Sequence, residues 1–381
     1  MNLKRFSLCF ALCTAGLTAA LTWPNNVVTA EESSAASNSK PVMAYGASGV
    51  TRELIAVRFE ADGAKIVQRL PMGINGGTLI YYPKNRHLYV ATPNSKNPSD
   101  NRLIVVSVAS NGKLTRKAEV KMTHGTSYLS IDGSGQYLMT ASYSEGTVDV
   151  YKLDKEGIPT GPVFTKDEGR KFAHSILQAP NHNLICVPYV KENGTVYQYS
   201  LDLLAGRLIP LNPAQAFVPK GVGPRHQAYH PTKPFVYFSN EQHIGASAYR
   251  IGDSGTLAHL QVCDPGDLKP GPGLSASDCK ITPDGRFLFT GQRAKPDSGL
   301  NGVNRYRVND DGTLTWLGRT DTDTTPWGLM VTPDGKHLMV TASTGGTLTR
   351  FVIDEAGGLK KLASVSWGKS IRSIGVVSLD E

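Results

Sequence analysis

The segment ITPDGRFLFT at residues 281–290 and its near copy VTPDGKHLMV at 331–340 decide the fold. Each reads as the end of one β-strand, a tight turn and the start of a second strand. Four further segments align with them: YYPKNRHLYV at 81–90, SIDGSGQYLM at 130–139, QAPNHNLICV at 178–187 and YHPTKPFVYF at 229–238. The six turns therefore recur along the chain, with anchor residues Pro83, Gly133, Pro180, Pro231, Pro283 and Pro333 spaced 47 to 52 residues apart.

This period predicts an all-β, seven-bladed β-propeller, because one four-stranded blade needs about 40 to 50 residues. Six blades follow from the six anchored units. Residues 42–70 and the C-terminal SIRSIGVVSL lack such a turn, so we expect the two chain ends to combine into a seventh blade that closes the ring. A β-helix or a sandwich would be the alternative, but neither predicts a turn at this interval.

The N-terminus has the layout of a secretory signal peptide. Lys4 and Arg5 precede an uncharged run of apolar or small residues at 6–21, and the small residues near Ala30 suit signal peptidase. We therefore expect a signal peptide at 1–30, a flexible linker at 31–41 and the propeller at 42–381. This organisation predicts export to the periplasm or the cell exterior, with no membrane association after cleavage; an uncleaved anchor is the alternative reading.

Composition narrows the classes of partner. The formal net charge is +8, but the basic residues lie mostly singly in turns, which argues against a nucleic-acid interface. No Cys or His pair has zinc-ligand spacing and no nucleotide or flavin motif is present, so we predict no metal and no required cofactor. Beyond Cys9 and Cys13, three cysteines remain, and their spacing leaves open a disulfide between Cys263 and Cys279. The oligomeric state is not predicted.

The repeat also predicts a site. Inner strands begin, and second strands end, at the same mouth of a propeller channel, so residues five and six before each anchor should lie beside residues nine and ten after it. The charged members come from consecutive blades: His174, Arg225, His226, Glu241, Asp278 and Arg293. Two guanidinium groups beside carboxylates and imidazoles suit binding of an anionic small molecule and general base catalysis. The alternative is that Arg225 and Arg293 only satisfy buried carboxylates.

The same residues carry a family resemblance. GVGPRHQAYHP at 221–231 followed by VYFSNEQ at 236–242 resembles the signature of the propeller-type 6-phosphogluconolactonase and carboxy-cis,cis-muconate cyclase family. AHSILQAP at 173–180 and ITPDGRFLFTGQR at 281–293 support the match, which spans nearly all of residues 42–381.

The resemblance implies a metal-independent site that opens or forms a lactone. The family's catalytic His, Arg, Glu and Arg fall on His174, Arg225, Glu241 and Arg293. We expect a second group of residues at the mouth to contact an anionic lactone or sugar acid: His226, Asp278, Tyr128, Trp327, Asn240 and Gln292.

Three departures from the family pattern fall at the mouth. AYGASG at 44–49 replaces a Gly-Thr-Tyr-Thr element, Tyr128 stands where the family carries a histidine, and Pro326-Trp327 replaces a Pro-Arg element. They favour a substrate less charged than a phosphorylated sugar lactone. Hydrolysis of an anionic lactone is the function we expect, with muconate-type cyclisation or a noncatalytic, secreted ligand-binding propeller as alternatives.

Overall fold

The computed structural model describes residues 41–379 apart from 62, 94–96, 181, 192–193, 267, 269–270 and 272. The expected signal peptide, and the expected linker except Pro41, lie outside the described residues. Within them the secondary structure is 28 β-strands and two short 3-10 turns, Pro98–Asp100 and Pro296–Ser298. No helix in this part of the chain is long and apolar enough to span a bilayer.

The strands form seven four-stranded antiparallel sheets, which are the blades of a propeller. Blade 1 contains β1 (Val42–Ala47), β2 (Glu53–Phe59), β3 (Ala64–Pro71) and the last strand, β28 (Gly375–Ser378). Blade 2 is β4 (Thr78–Tyr82), β5 (His87–Ala91), β6 (Arg102–Val108) and β7 (Leu114–Lys121). Blade 3 is β8 (Tyr128–Ile131), β9 (Tyr137–Ala141), β10 (Thr147–Leu153) and β11 (Pro159–Asp167). Blade 4 is β12 (Leu177–Gln178), β13 (Ile185–Tyr189), β14 (Thr195–Asp202) and β15 (Arg207–Ala216).

The remaining blades follow the same order. Blade 5 is β16 (Pro224–Tyr229), β17 (Phe235–Asn240), β18 (Ala246–Ile251) and β19 (Leu257–Cys263). Blade 6 is β20 (Ser275–Ile281), β21 (Phe287–Arg293), β22 (Gly302–Val308) and β23 (Leu314–Asp321). Blade 7 is β24 (Pro326–Val331), β25 (His337–Ala342), β26 (Thr347–Ile353) and β27 (Leu359–Ser366). The prediction of a seven-bladed propeller is confirmed.

The ring closes through both chain ends, as predicted. The C-terminal strand β28 is the innermost strand of blade 1, and it pairs antiparallel with β1 so that Tyr45 lies opposite Gly375. Closure in this way leaves no unpaired inner edge at the junction between the first and last parts of the chain. It also explains why blade 1 has no anchor turn, because its first two strands are not consecutive in sequence.

Burial follows strand position within each blade. The second strands are covered on both faces, as in β5, where every residue is buried, and their sequences are accordingly apolar or aromatic. The outer strands are more exposed, and in β3 exposed residues follow half-buried ones along the whole strand. The Pro-Asp-Gly turns place Gly285 and Gly335 at φ of 77° and 73°, a conformation that side chains disfavour. The core therefore lies between adjacent blades.

The disulfide that the sequence left open is not formed. Cys186, Cys263 and Cys279 are buried free thiols. Cys263 ends the outer strand of blade 5, whereas Cys279 lies on the inner strand of blade 6. The thiol of Cys263 contacts the Leu314 carbonyl at 3.6 Å, and that of Cys279 contacts the Tyr237 carbonyl at 3.9 Å.

Candidate functional site

A cavity of about 420 Å³ opens where the inner strands begin and the second strands end. It lies at the mouth that the repeat predicted. The lining includes eight of the ten residues proposed from sequence: His174, Arg225, Glu241, Arg293, His226, Asp278, Tyr128 and Trp327. The structure thus brings together side chains from five different blades.

Local irregularities of the inner strands aim these side chains at the cavity. In blade 5 the pairing of β16 with β17 shifts by one residue between Pro224 and Gln227, which is the signature of a β-bulge. The extra residue lets the neighbours Arg225 and His226 both line the cavity, although adjacent strand residues normally point to opposite faces. A similar shift occurs in blade 6 around Asp278.

Small hydroxyl side chains fix the spacing between neighbouring inner strands. Ser175 donates a hydrogen bond to the Arg225 carbonyl at 2.9 Å, and Ser277 donates one to the Pro326 carbonyl at 2.7 Å. Each bond crosses from one blade to the next. The backbone that carries the charged side chains is therefore held at the mouth by buried hydrogen bonds, which cost free energy when one partner is removed.

Glu241 is the centre of the first charged group. Its carboxylate accepts a hydrogen bond from Arg225 Nε at 3.1 Å and lies 3.8 Å from Arg293 Nη2. His174 Nε2 lies 3.7 Å from the same carboxylate. Because Arg225 is only 1% exposed, its charge needs this partner. The four residues that the family resemblance assigned to catalysis therefore form one contiguous cluster.

Asp278 is the centre of the second charged group. Its Oδ1 accepts hydrogen bonds from His226 Nδ1 at 2.8 Å and Lys280 Nζ at 2.7 Å, and its Oδ2 accepts one from the Leu329 backbone amide at 2.9 Å. Burial alone would raise the pKa of Asp278, but Lys280 and His226 together lower it below its usual value. An ionised carboxylate only accepts hydrogen bonds, so His226 carries its proton on Nδ1 and offers Nε2 as an acceptor.

Both histidines are held neutral at the mouth. Burial and the positive charge of Arg225 lower the pKa of His174 well below its usual value, and the same causes lower the pKa of His226 to about 3. Burial, with Arg225 nearby, also lowers the pKa of Arg293 to about 9. Neutral imidazoles can orient a water or a substrate oxygen by hydrogen bonding throughout the physiological range of pH.

Trp327 forms an aromatic wall for three guanidinium groups. The centre of the Arg293 guanidinium lies 4.4 Å from the indole centroid, that of Arg372 lies 4.7 Å away, and that of Arg225 lies 5.6 Å away. Such contacts orient arginine side chains and add a modest stabilisation each. Tyr128 also lines the cavity, with its ring edge-on to His226 at a centroid distance of 5.0 Å.

The structure corrects the predicted positions of Asn240 and Gln292. Both side chains are fully buried and do not line the cavity. Asn240 Oδ1 accepts a hydrogen bond from Ser247, and Gln292 Nε2 donates one to the Leu300 carbonyl. Side chains alternate along a strand, so the residues directly before Glu241 and Arg293 project from the opposite face of the strand and not into the cavity.

Two cavity cations were missed from the sequence, Lys280 and Arg372. Lys280 lies two residues after Asp278, so strand alternation places it on the same face and could have revealed it. Arg372 precedes β28 in blade 1, where no anchor turn sets the register. Only the observed pairing of the chain ends shows that it belongs to the mouth.

The fold and the site define a seven-bladed propeller with a charged cavity at its channel mouth, and comparison with known proteins agrees with the fold. Residues 57–371 match the family described as Lactonase, 7-bladed beta-propeller. The match spans most of the chain, and the protein belongs to this family.

Sequence identity to individual relatives is low. The 6-phosphogluconolactonase of Pectobacterium carotovorum is 30% identical over 305 residues, which cover 79% of this chain and 88% of the relative. The 6-phosphogluconolactonase of Cronobacter sakazakii is 28% identical over 321 residues, covering 83% and 92%. Among solved structures, the periplasmic gluconolactonase of Pseudomonas aeruginosa superposes with a TM-score of 0.78 over 90% of this chain and 99% of that one, at 23% identity. This last similarity shows the shared fold.

Proposed function

We propose that the protein is a lactonase that hydrolyses an anionic lactone at the channel mouth. The observation that carries the proposal is the cluster around Glu241, in which Arg225, Arg293 and His174 surround one carboxylate inside a cavity large enough for a sugar-sized ligand. Lactone hydrolysis is the activity named for the relatives, and the chain spans most of the length of each of them.

Each member of the cluster has a role in this reaction. Glu241 accepts a proton from a water molecule, whose oxygen attacks the lactone carbonyl carbon. The carbonyl oxygen gains negative charge, and the guanidinium groups of Arg225 and Arg293 stabilise it. The ring C–O bond then breaks, and the ring oxygen takes the proton back from Glu241, which gives a hydroxy acid. Atoms and charge balance without any cofactor.

The histidines orient the reactants. The lowered pKa of His174 favours the neutral form of its ring. His174 therefore forms a hydrogen bond with a substrate oxygen and does not act as an imidazolium acid. His226, with Nδ1–H donated to Asp278, offers Nε2 as an acceptor for the attacking water. Asp278 is a positioning residue in the proposed reaction, because it acts through the His226 ring.

The test is release of acid from a panel of lactones by the wild type and by Glu241→Gln. The panel contains 6-phosphogluconolactone and unphosphorylated sugar lactones, and circular dichroism at matched temperature checks that both proteins are folded. We expect turnover by the wild type and a loss of about 10²- to 10⁴-fold in kcat in the variant. No turnover on any lactone by folded wild type would favour a ligand-binding propeller instead.

A muconate-type cyclisation would use the same cluster in the direction of ring closure. The panel therefore includes carboxy-cis,cis-muconate. Ring closure of this compound, with no opening of any sugar lactone, would replace hydrolysis with cyclisation as the function.

We also propose that the protein is exported. The charged and apolar order of residues 1–30 supports a cleaved signal peptide. Expression of the full chain in a bacterial host, followed by cell fractionation and intact mass measurement, should give a periplasmic or secreted protein that begins after about residue 30. A full-length chain in the cytoplasm would contradict this proposal.

A further inference from the structure

Arg372 occupies the position in blade 1 that His174, Arg225 and Trp327 occupy in blades 4, 5 and 7. A residue with positive φ lies two positions before each of the four. It is Ser370 before Arg372, at 58°, and the other three are Phe172, Gly223 and Thr325, at 77°, 63° and 62°. The residue between them pairs with the second strand of its blade, or with the residue just after that strand, in all four blades: Ile371 with Ser48, Ala173 with Tyr189, Pro224 with Asn240 and Pro326 with Ala342. Arg372 is therefore a member of the same ring of mouth residues, and it lines the cavity.

No carboxylate of the described residues pairs with the charge of Arg372. Arg225 and Arg293 share Glu241, and Lys280 pairs with Asp278. Of the residues that the structure describes, none forms an ion pair or a side-chain hydrogen bond with the Arg372 guanidinium. Among the described residues that line the cavity, Arg225, Lys280, Arg293 and Arg372 are cations and Glu241 and Asp278 are anions, so cations exceed anions by two when the histidines are left aside. Among the described cations of the cavity, Arg372 is the one left free for a ligand, and it is also the most solvent-exposed of the three arginines.

Trp327 holds this guanidinium next to the reaction centre. Arg372 and Arg293 both lie over the indole, at 4.7 and 4.4 Å. Arginine stacked on an aromatic ring keeps its N–H groups free for bidentate contacts with a carboxylate or phosphate. An anion bound by Arg372 would therefore lie beside Arg293, which with Arg225 binds the lactone carbonyl oxygen in the proposed reaction.

We propose that Arg372 is a specificity-determining residue that binds the anionic substituent of the lactone, while Arg225 and Arg293, tied to Glu241, act on the carbonyl oxygen. This inference rests on the proposed lactonase function. It assigns to blade 1 a binding role that lies outside the cluster of catalytic residues, and it predicts that removal of Arg372 affects charged lactones only.

The test compares two lactones that differ by one phosphate, 6-phosphogluconolactone and glucono-δ-lactone, with Arg372→Met, Arg372→Lys and the wild type. Arg372→Met keeps the apolar stem and removes the charge. We expect its KM for the phosphorylated lactone to rise about tenfold to a hundredfold, the scale of a lost charge-assisted hydrogen bond. Its KM for glucono-δ-lactone, and kcat for both lactones, should stay within about twofold. Arg372→Lys should recover part of the loss.

A matched control removes one positive charge elsewhere. Lys361 is exposed on the outer strand β27, and Lys361→Met should leave both KM values unchanged. An equal change in KM for both lactones, or no change in Arg372→Met, would overturn the assignment while leaving the lactonase proposal intact.

If the wild type opens neither lactone, the lactonase proposal is wrong. The role of Arg372 is then tested by ligand binding alone. Calorimetry with 6-phosphogluconate and gluconate should show tenfold weaker binding of 6-phosphogluconate alone in Arg372→Met. Unchanged binding, or no binding by the wild type, would overturn the inference.

Discussion

The cavity has two halves that differ in charge. Among the described residues, all the charged side chains that line the cavity come from the half formed by blades 4 to 7 and blade 1, whereas blades 2 and 3 contribute uncharged residues such as Thr78, Ile80 and Ser127. A regular repeat would give all blades similar residues at the mouth. Buried charge costs free energy unless it is paired, so its concentration in one half points to a binding requirement and not to folding.

The two halves of the cavity also differ in how completely their buried polar atoms are hydrogen-bonded. In the uncharged half, Ser127 Oγ donates to the Ala141 carbonyl at 2.8 Å and is satisfied within the protein. The charged half has four buried polar atoms without a partner among the described residues: His174 Nδ1, Arg225 Nη1, His226 Nε2 and Arg293 Nε. Unsatisfied buried groups are costly, and a ligand that hydrogen-bonds to them recovers that cost.

The largest effect should come from the most buried cation. Arg225→Met leaves Glu241 with only the longer contacts to His174 and Arg293 and removes one carbonyl-binding group. We expect kcat/KM for lactone opening to fall about 10²- to 10³-fold and the free energy of unfolding to fall by about 3–5 kcal/mol. Urea unfolding and acid release measure the two effects. Stability and activity equal to those of Lys361→Met would remove the distinction between the halves.

A smaller effect should follow from Asp278→Asn. The amide cannot accept all of the hydrogen bonds from His226, Lys280 and the Leu329 amide, and Lys280 loses its counter-ion. We expect about 2–3 kcal/mol of destabilisation and a roughly tenfold lower kcat, because His226 is no longer held in one tautomer. Asp310→Asn, at an exposed ion pair with Lys233, is the matched control. A variant as active and stable as this control would contradict the positioning role.

The pH dependence of stability should also report on the charged half of the cavity, which contains His174 and His226. His174 and His226 have folded-state pKa values below the ordinary value, so the unfolded chain takes up protons first as pH falls below about 6.5. Stability is then present above pH 6.5 and decreases towards pH 4.5, by up to about 1.4 kcal/mol per pH unit for each histidine. Urea midpoints between pH 7.5 and 4.5 measure the slope, and His226→Gln should reduce it. An unchanged slope in that variant would mean that His226 takes up its proton at the same pH in the folded and the unfolded protein.

The smallest effect should come from the uncharged half. Ile80→Val removes one methyl group from the cavity wall on β4 without touching a charge. We expect a loss of about 0.5–1 kcal/mol in stability and a change in kcat/KM within about twofold. A loss of activity comparable to that of Asp278→Asn would show that the uncharged wall takes part in catalysis and would contradict the division into halves.

Strand alternation and the period of the repeat account for what could be anticipated. The anchor turns gave the blades, the closure through both ends and the ring positions of His174, Arg225, Glu241 and Arg293. They failed at Asn240 and Gln292, because the offset from the turn counts residues but does not say which face of the strand each side chain takes. The bulge beside Arg225 adds a residue that no spacing rule predicts, and it is the reason that His226 also reaches the cavity.

The sequence by itself determined the propeller, because a turn repeated at nearly constant spacing requires a repeated unit that buries its faces against its neighbours. It also determined the identity of the charged cluster, since a fixed register carries each residue type to the same mouth. Only the tertiary structure decided which carboxylate pairs with which cation, that Cys263 and Cys279 stay free, and that Arg372 joins the mouth. These depend on contacts between blades and between the two chain ends, and distances across the ring are not encoded in local spacing.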